Sequence, residues 1–379
     1  MKSVLVWDVP TRLFHWLLAA SFVGAWVTAE SDEWLPVHTF LGYLMFALIG
    51  FRAIWGLIGG RYARFSSFAY SPGEGVTYLS QAIEGCAPRH IGHNPAGAQA
   101  IFLLLGLGLL TALSGLFVQG GEEQQGMVAG WLGYGLGKVV KEGHEFFALL
   151  MLLVVLVHAA GVIFESWLHR ENLARAMVTG QKQAKEGTPA SHPHDLVGAV
   201  VLMAVVAFGM WWFAYALEEP LEGMAGHDDD AGETAHVAFV GGSLPSNAQW
   251  NDECGSCHLA FQPWLLPARS WQSLMAQQNQ HFGEDLALEP ATVSGLLAFA
   301  ETHSAEKGMT EAAWKIGRSV PDGATPLRMT ETAYWQKKHR EIDTADWQKP
   351  QVKSRSNCVA CHQDAEAGTY EDGAMRLPK

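Results

Sequence analysis

The sequence predicts an all-α protein with five membrane spans followed by a small helical outer domain, and three observations carry that expectation. Five apolar stretches, 12–29, 37–58, 97–118, 143–167 and 196–217, approach or exceed the roughly 20 helical residues that a bilayer core requires. Basic residues are concentrated in alternate connections. Two CxxCH motifs, Cys254-Gly255-Ser256-Cys257-His258 and Cys358-Val359-Ala360-Cys361-His362, occupy the last third and use four of the 5 cysteines. The mean hydropathy of +0.07 averages two unlike halves. Residues 1–216 carry 12 Lys+Arg against 14 Asp+Glu and residues 217–379 carry 13 against 24, so nearly all of the net charge of −13 lies in the tail.

The first stretch follows a single lysine and an early Pro10, with no small-residue cleavage site to end it, and is expected to remain as an anchor rather than a cleaved signal. Orientation follows from the loops. Connections 59–96 and 168–195 hold Arg61, Arg64, Arg89, Arg170, Arg175, Lys182 and Lys185, whereas 30–36 and 119–142 hold only Lys138 and Lys141. The basic connections are expected on the cytoplasmic side, which puts the N-terminus inside and, after five spans, the C-terminus outside. Cys86, in the first basic loop, is expected to be a reduced thiol. The third span lacks histidine and reads as packing; Trp211 and Trp212 close the fifth as an interfacial belt.

After the spans, residues 218–245 are rich in Gly, Asp and His and read as a flexible tether. Beyond it, 263–280, 290–304 and 330–341 show helical spacing with almost no strand-like alternation. The expected organisation is a four-span region at 1–180, a cytoplasmic loop end and fifth span at 181–217, the tether, and an outer domain at 246–379.

Each CxxCH unit offers two thiols that can form thioethers to one haem and an adjacent histidine that reaches its iron, so the spacing reads as c-type haem attachment. A redox dithiol or a zinc half-site is the alternative, and for zinc two isolated units about a hundred residues apart fit a four-ligand site less well. Covalent haem attachment belongs to an oxidising compartment, which agrees with the orientation drawn from Lys and Arg although the two share no residues.

Ionisable residues inside spans are costly and are functional candidates. His15 lies in the first span, His38 at the head of the second, and His144 and His158 in the fourth. His144 and His158 are separated by fourteen residues, which returns them to within about 40° of one helix face and roughly 21 Å apart along the axis. The depths then pair His15 with His158 and His38 with His144. Two bis-histidine b haems follow, an inner and an outer one. His90, His93, His169, His192 and His194 read as loop or span-end residues.

The segments VWDVPTRLFHW at 6–16, HTFLGY at 38–43, GFRAIWGLIGGRYARFSSF at 50–68 and GHNPAGA at 92–98 resemble the bacterial cytochrome b561 family, which includes the cytochrome b subunits of nickel-iron hydrogenases. That resemblance implies a transmembrane four-helix b-type cytochrome core that exchanges electrons with the quinone pool, with His15, His38, His144 and His158 at its ligand positions. The tail, from CGSCHLAFQPWLLPARSW at 254–271 through HFGED at 281–285 and KKHREI at 337–342 to SNCVACH at 356–362, resembles the dihaem cytochrome c family. His281 and His339 match that family's pattern for sixth ligands, so His258 is expected to pair with His281 and His362 with His339. A crossed pairing stays open, as do Met275, Met309, Met329, Met375, His303, His236 and His227 as rivals.

The expected cofactors are two b haems and two c haems, with quinol as substrate. The expected activity is electron transfer from quinol through the b haems to the c haems, and then to a soluble, basic redox protein outside a bacterial inner membrane, steered by the acidic outer domain. No nucleophile, acid–base dyad or phosphate loop is present, so no catalytic side chain and no nucleic-acid partner is expected. The alternatives are an anchor that wires a separate periplasmic oxidoreductase to quinone, a haem-based sensor, and oxidation of a small reductant such as superoxide with reversed flow.

Overall fold

The computed structural model describes residues 2–30, 34–191, 196, 198–209, 211 and 244–378. The chain divides into two compact units, one of Met1–Leu116 and Lys141–Glu218, the other of Phe117–Val140 and Glu219–Lys379. The architecture is helical, as the sequence predicts. The 218–245 tether, all but its last two residues, lies outside the described residues, as do Trp212, His192, His194, His227 and His236.

The first unit opens with β1 (Lys2–Leu5) and α1 (Val9–Thr28). Asp8 caps α1 by accepting from the Thr11 amide at 2.9 Å, and Pro10 occupies the first turn, where its missing N–H costs nothing. Next come α2 (Leu35–Ile58), which also has Pro in its first turn, and the short α3 (Pro72–Ile83). Ser71 and Glu74 form a capping box at the start of α3. Then follow α4 (Pro95–Gly121) and α5 (Tyr134–Leu168), of which 117–121 and 134–140 belong to the second unit, and α6 (Leu173–Thr179). Gly180, in the left-handed region at φ 79°, ends α6 and turns the chain into β2 (Gln181–Ala184). The unit closes with α7 (Gly198–Gly209), the described part of the fifth apolar stretch.

Helices α2, α4 and α5 are long and apolar enough to cross a membrane. On α5, Val157, Ile163 and Trp167 are each about 70% exposed or more, an apolar surface that water would not tolerate and lipid would cover. β1 pairs antiparallel with β2, Leu5 opposite Gln181. Both strands therefore lie on one side of a bilayer, so an even number of crossings separates them and α1, 20 residues long, completes a set of four with α2, α4 and α5. Phe14, Leu48, Phe51, Trp55 and Leu202 form one core of this unit, and Phe22, Met45, Leu107 and Met151 a second one.

The second unit carries α8 (Ala248–Gly255), α9 (Ala268–Ala276), α10 (Pro290–Thr302), α11 (Glu311–Ser319), α12 (Ala333–Lys338) and α13 (Thr344–Trp347). Its core gathers Trp250, Trp264, Trp271, Leu266, Leu296 and Ile316. Each of the three indoles has a carbonyl acceptor: Trp250 donates to Phe261 at 3.1 Å, Trp264 to Gly368 at 2.8 Å and Trp271 to Pro263 at 2.7 Å. Large rings are thus buried without stranding their N–H groups. Gln262, 7% exposed, donates to the carbonyls of Ala365 and Glu366, both at 2.9 Å, and so ties the segment after the first CxxCH to the segment after the second. The stretch 117–140 belongs to this unit: the Tyr134 amide donates to Met309 at 3.1 Å, and its ring lies 5.5 Å from that of Trp314.

Candidate functional site

Histidines from separate elements meet as pairs. His38, in the first turn of α2, and His144, in the third turn of α5, have ring centroids 6.2 Å apart. His258, just past α8, and His281 stand 6.3 Å apart. His339, at the end of α12, and His362 stand 6.1 Å apart. Two imidazoles facing one metal through their Nε2 atoms, each about 2.0–2.1 Å from it, place their centroids roughly 6 Å apart, so all three spacings admit an iron between the rings. His15 of α1 and His158 of α5 lie close enough for their charges to interact.

Four of these rings are held by main-chain carbonyls. Nδ1 of His38 donates to Ala25 at 2.8 Å, that of His144 to Thr111 at 2.9 Å, that of His258 to Leu259 at 2.7 Å and that of His339 to Trp335 at 2.8 Å. A carbonyl can only accept, so Nδ1 carries the proton and the Nε2 lone pair is left for a metal. Ser114 Oγ adds a second contact to His144 Nδ1 at 3.1 Å. In the second unit, burial lowers the pKa of His281, His339 and His362, which keeps those rings neutral as ligands must be.

Around the second CxxCH the chain walls off a cavity of about 380 Å³. Cys358, Cys361, His362 and His339 line it together with apolar and aromatic side chains that include Trp335 and Tyr370. Its size and lining suit a large flat cofactor. Trp335 stacks on His339 at 4.2 Å and 15°, which fixes the plane of the imidazole. Backbone bonds from Gln363 to Ala374 and from Arg376 to Cys361 fold the C-terminal tail against this motif. Burial pushes the thiols of Cys254 and Cys358 up to about 11, so both are neutral before any thioether forms, and all five cysteines are free of disulfides.

Of the rival sixth ligands, Met329 and Met375 line the second cavity, Met275 is buried in the core, and His303 packs on Phe299 at 4.7 Å. His90 and His169 sit with Tyr78, Arg89, Glu165, Glu171 and Lys182 in a polar cluster that the loop-by-loop reading of the sequence misses. One sequence signal was available, since Glu165 is a carboxylate inside an otherwise apolar stretch.

Residues 6–180 match the model of the prokaryotic cytochrome b561 family and residues 250–370 that of the dihaem cytochrome c family. Among curated relatives, the "Probable Ni/Fe-hydrogenase B-type cytochrome subunit" of Azotobacter vinelandii is 25% identical over 222 residues, covering 49% of this chain and 91% of the relative. Its namesake from Cupriavidus necator is 26% identical over 219 residues, covering 49% and 89%. Among solved structures, the diheme cytochrome c from Rhodobacter sphaeroides is 33% identical, covering 34% of this chain and 100% of that one, with a TM-score of 0.31. The diheme cytochrome c from Shewanella baltica is 30% identical, covering 36% and 95%, with a TM-score of 0.29. Both families carry haem, of the b type in the first and the c type in the second, and their joint work is electron transfer. The chain is a multi-pass membrane cytochrome whose residues 6–180 belong to the prokaryotic cytochrome b561 family and whose residues 250–370 belong to the dihaem cytochrome c family.

Proposed function

We propose that the chain conducts electrons across a bacterial inner membrane, from quinol on the membrane side to a soluble, basic redox protein outside. The side chains that hold its cofactors are His15 with His158 and His38 with His144 for two b haems. Cys254, Cys257, His258 and His281 hold one c haem, and Cys358, Cys361, His362 and His339 the other. The observation that carries this reading is the recurrence of one imidazole spacing, 6.1–6.3 Å, in both units and at both CxxCH motifs.

Haem iron supplies the one-electron chemistry, and the protein supplies position and environment. The Nδ1 donations orient the rings and raise their basicity, the aromatic walls around His339 exclude water, and the thiols anchor each c haem by covalent bonds. The excess of acidic over basic residues in 217–379, 24 against 13, steers a cationic partner, and the steering weakens with salt because charges are screened beyond roughly 8 Å at physiological ionic strength.

The test is a pyridine haemochrome assay with stopped-flow reduction by a quinol analogue. Equal amounts of b and c haem, and c-haem reduction that slows in His38→Ala, are expected. A b:c ratio far from one, or c haems reduced equally fast in the variant, would refute the route. The hydrogenase names of the relatives favour one second reading, a subunit that wires a separate oxidoreductase to quinone. Stable copurification with such an enzyme would select it.

A further inference from the structure

Apart from the histidine pairs, the first unit contains a polar cavity of about 40 Å³ bounded by Arg89, His90, Asn94, Glu165, His169 and Lys182, with room for ordered water. Its charges are arranged as a ring. Arg89 Nε donates to Glu171 Oε2 at 2.9 Å, and Lys182 Nζ lies 3.6 Å from Glu171 Oε1 and donates to the His90 carbonyl at 3.3 Å. Tyr78, from α3, donates to Glu165 Oε2 at 3.1 Å, and His169 Nε2 stands 3.2 Å from the same oxygen. Two cations thus face two carboxylates, and the balance is neutral while His90 and His169 are neutral. Glu165 and His169 keep only 14% and 13% of their side-chain surface in solvent, so a charge added there is felt nearby.

Glu165 follows His158 by seven residues on α5, which sets it on the same helix face to within about 20° and roughly 10.5 Å further along the axis. His93 lies within electrostatic reach of both His158 and Lys182. Its ring packs on Trp7 at 4.6 Å and Phe68 at 4.3 Å, and its buried Nδ1 has no hydrogen-bond partner. Burial, helped by Arg52 of α2, pushes His93 down to about 3, so it stays neutral. Burial likewise lowers the pKa of His90 and holds the Tyr78 phenol protonated. Of the groups that face the cavity, His169 and Glu165 are the imidazole and carboxylate that meet directly, at 3.2 Å, so a proton taken up there would sit between a base and an acid.

We propose that this pair is a proton-binding site coupled to the neighbouring b haem, so that one-electron reduction of the haem held by His15 and His158 draws one proton from the aqueous side into the cavity. The electron comes from the quinol donor or, in a titration, from an added chemical reductant. The proton comes from water and restores the charge balance that the added electron disturbs. The proposal rests on the ligand assignment made above.

A redox titration of the full chain between pH 5.5 and 8.5 tests it, read on the b component that His15→Ala removes. The midpoint potential of that component should fall by up to about 59 mV for each tenfold drop in proton activity. His169→Gln and Glu165→Gln should each flatten the slope by at least half while keeping the haem, and the redox-difference infrared signals of the imidazole and carboxylate should vanish in the respective variants. Tyr78→Phe, which retains the buried ring, should move the pH at which the slope begins. A wild-type potential that ignores pH, or a slope that survives in both His169→Gln and Glu165→Gln, overturns the proposal. If either of those variants loses its haem, the wild-type and Tyr78→Phe titrations decide alone, and an unmoved onset in Tyr78→Phe counts against it. Retention of both b haems in His15→Ala would instead overturn the ligand assignment.

Discussion

Replacing Gln262 by Met removes the cross-tie between the two CxxCH halves of the second unit while keeping the length of the side chain. The wild-type amide donates to the carbonyls of Ala365 and Glu366 at 2.9 Å each and accepts from the Tyr370 hydroxyl at 3.3 Å. Methionine can donate to neither carbonyl. The bond to Ala365 is buried, so its oxygen loses its partner outright, at about 1–3 kcal/mol. The Glu366 bond is only part-buried, and water can replace much of it. The sum is about 1–3 kcal/mol of local stability, which at about 1.4 kcal/mol per factor of ten corresponds to roughly 5- to 150-fold faster local opening. Hydrogen exchange on the full chain should register it at 364–371, where the amides of Gly368 and Glu371 are bonded to Asp364. Exchange at 296–300, within α10, should not change. Acceleration of less than threefold at 364–371 would show that the tie does not hold this segment.

Three further outcomes are expected. His15→Ala and His158→Ala should each lose the same single b haem, lowering the b:c ratio to about one half in a haemochrome assay, and loss of spectrally different haems would break the pairing. Burial, with Glu123, Glu311, Asp364 and Asp372 adding to it, raises Glu371 from its ordinary 4.5 to about 8. The folded state therefore holds more protons than the unfolded state between those values, and the stability of the second unit should decline as pH rises from about 4.5 to about 8. Melting followed by circular dichroism should lose much of that decline in Glu371→Gln. A Cβ at position 56 would overlap the Phe65 ring, over which the Arg52 guanidinium sits at 4.6 Å, so Gly56→Ala should cost about 1–3 kcal/mol and lower the melting temperature of the membrane unit.

Much of this was legible from the sequence because its signals are local or periodic. Hydropathy located α1, α2, α4 and α5, the CxxCH spacing is a five-residue pattern, and a histidine inside an apolar run stands out by contrast. What escaped was either short or assembled across the chain. β1 and β2 are four residues each, KSVL and QKQA, with no alternation to mark them. The apolar run of the fourth span begins at 143, yet α5 starts at Tyr134, because its first turns carry Lys138, Lys141 and Glu142 and resemble a polar loop. The capping box Ser71–Glu74 announces α3 inside a connection whose arginines, cysteine and histidines are the more conspicuous residues. The cavity around His169 draws on two loops, α5, α6 and β2, with Tyr78 of α3 bonded to its Glu165, and no window of sequence contains it.

The pairing of β1 with β2 also imposes a schedule on biosynthesis. Leu5 emerges from the ribosome 176 residues before Gln181, its partner. At roughly 5–20 residues per second, about 9–35 s pass while α1, α2, α4 and α5 enter the bilayer. Only then can the clasp close, joined by the amides of Val6 and Trp7, both bonded to the Gly180 carbonyl, and by that of Ser191, bonded to Leu5. A chain in which one helix failed to cross would leave the two strands on opposite sides of the membrane, where they could not pair.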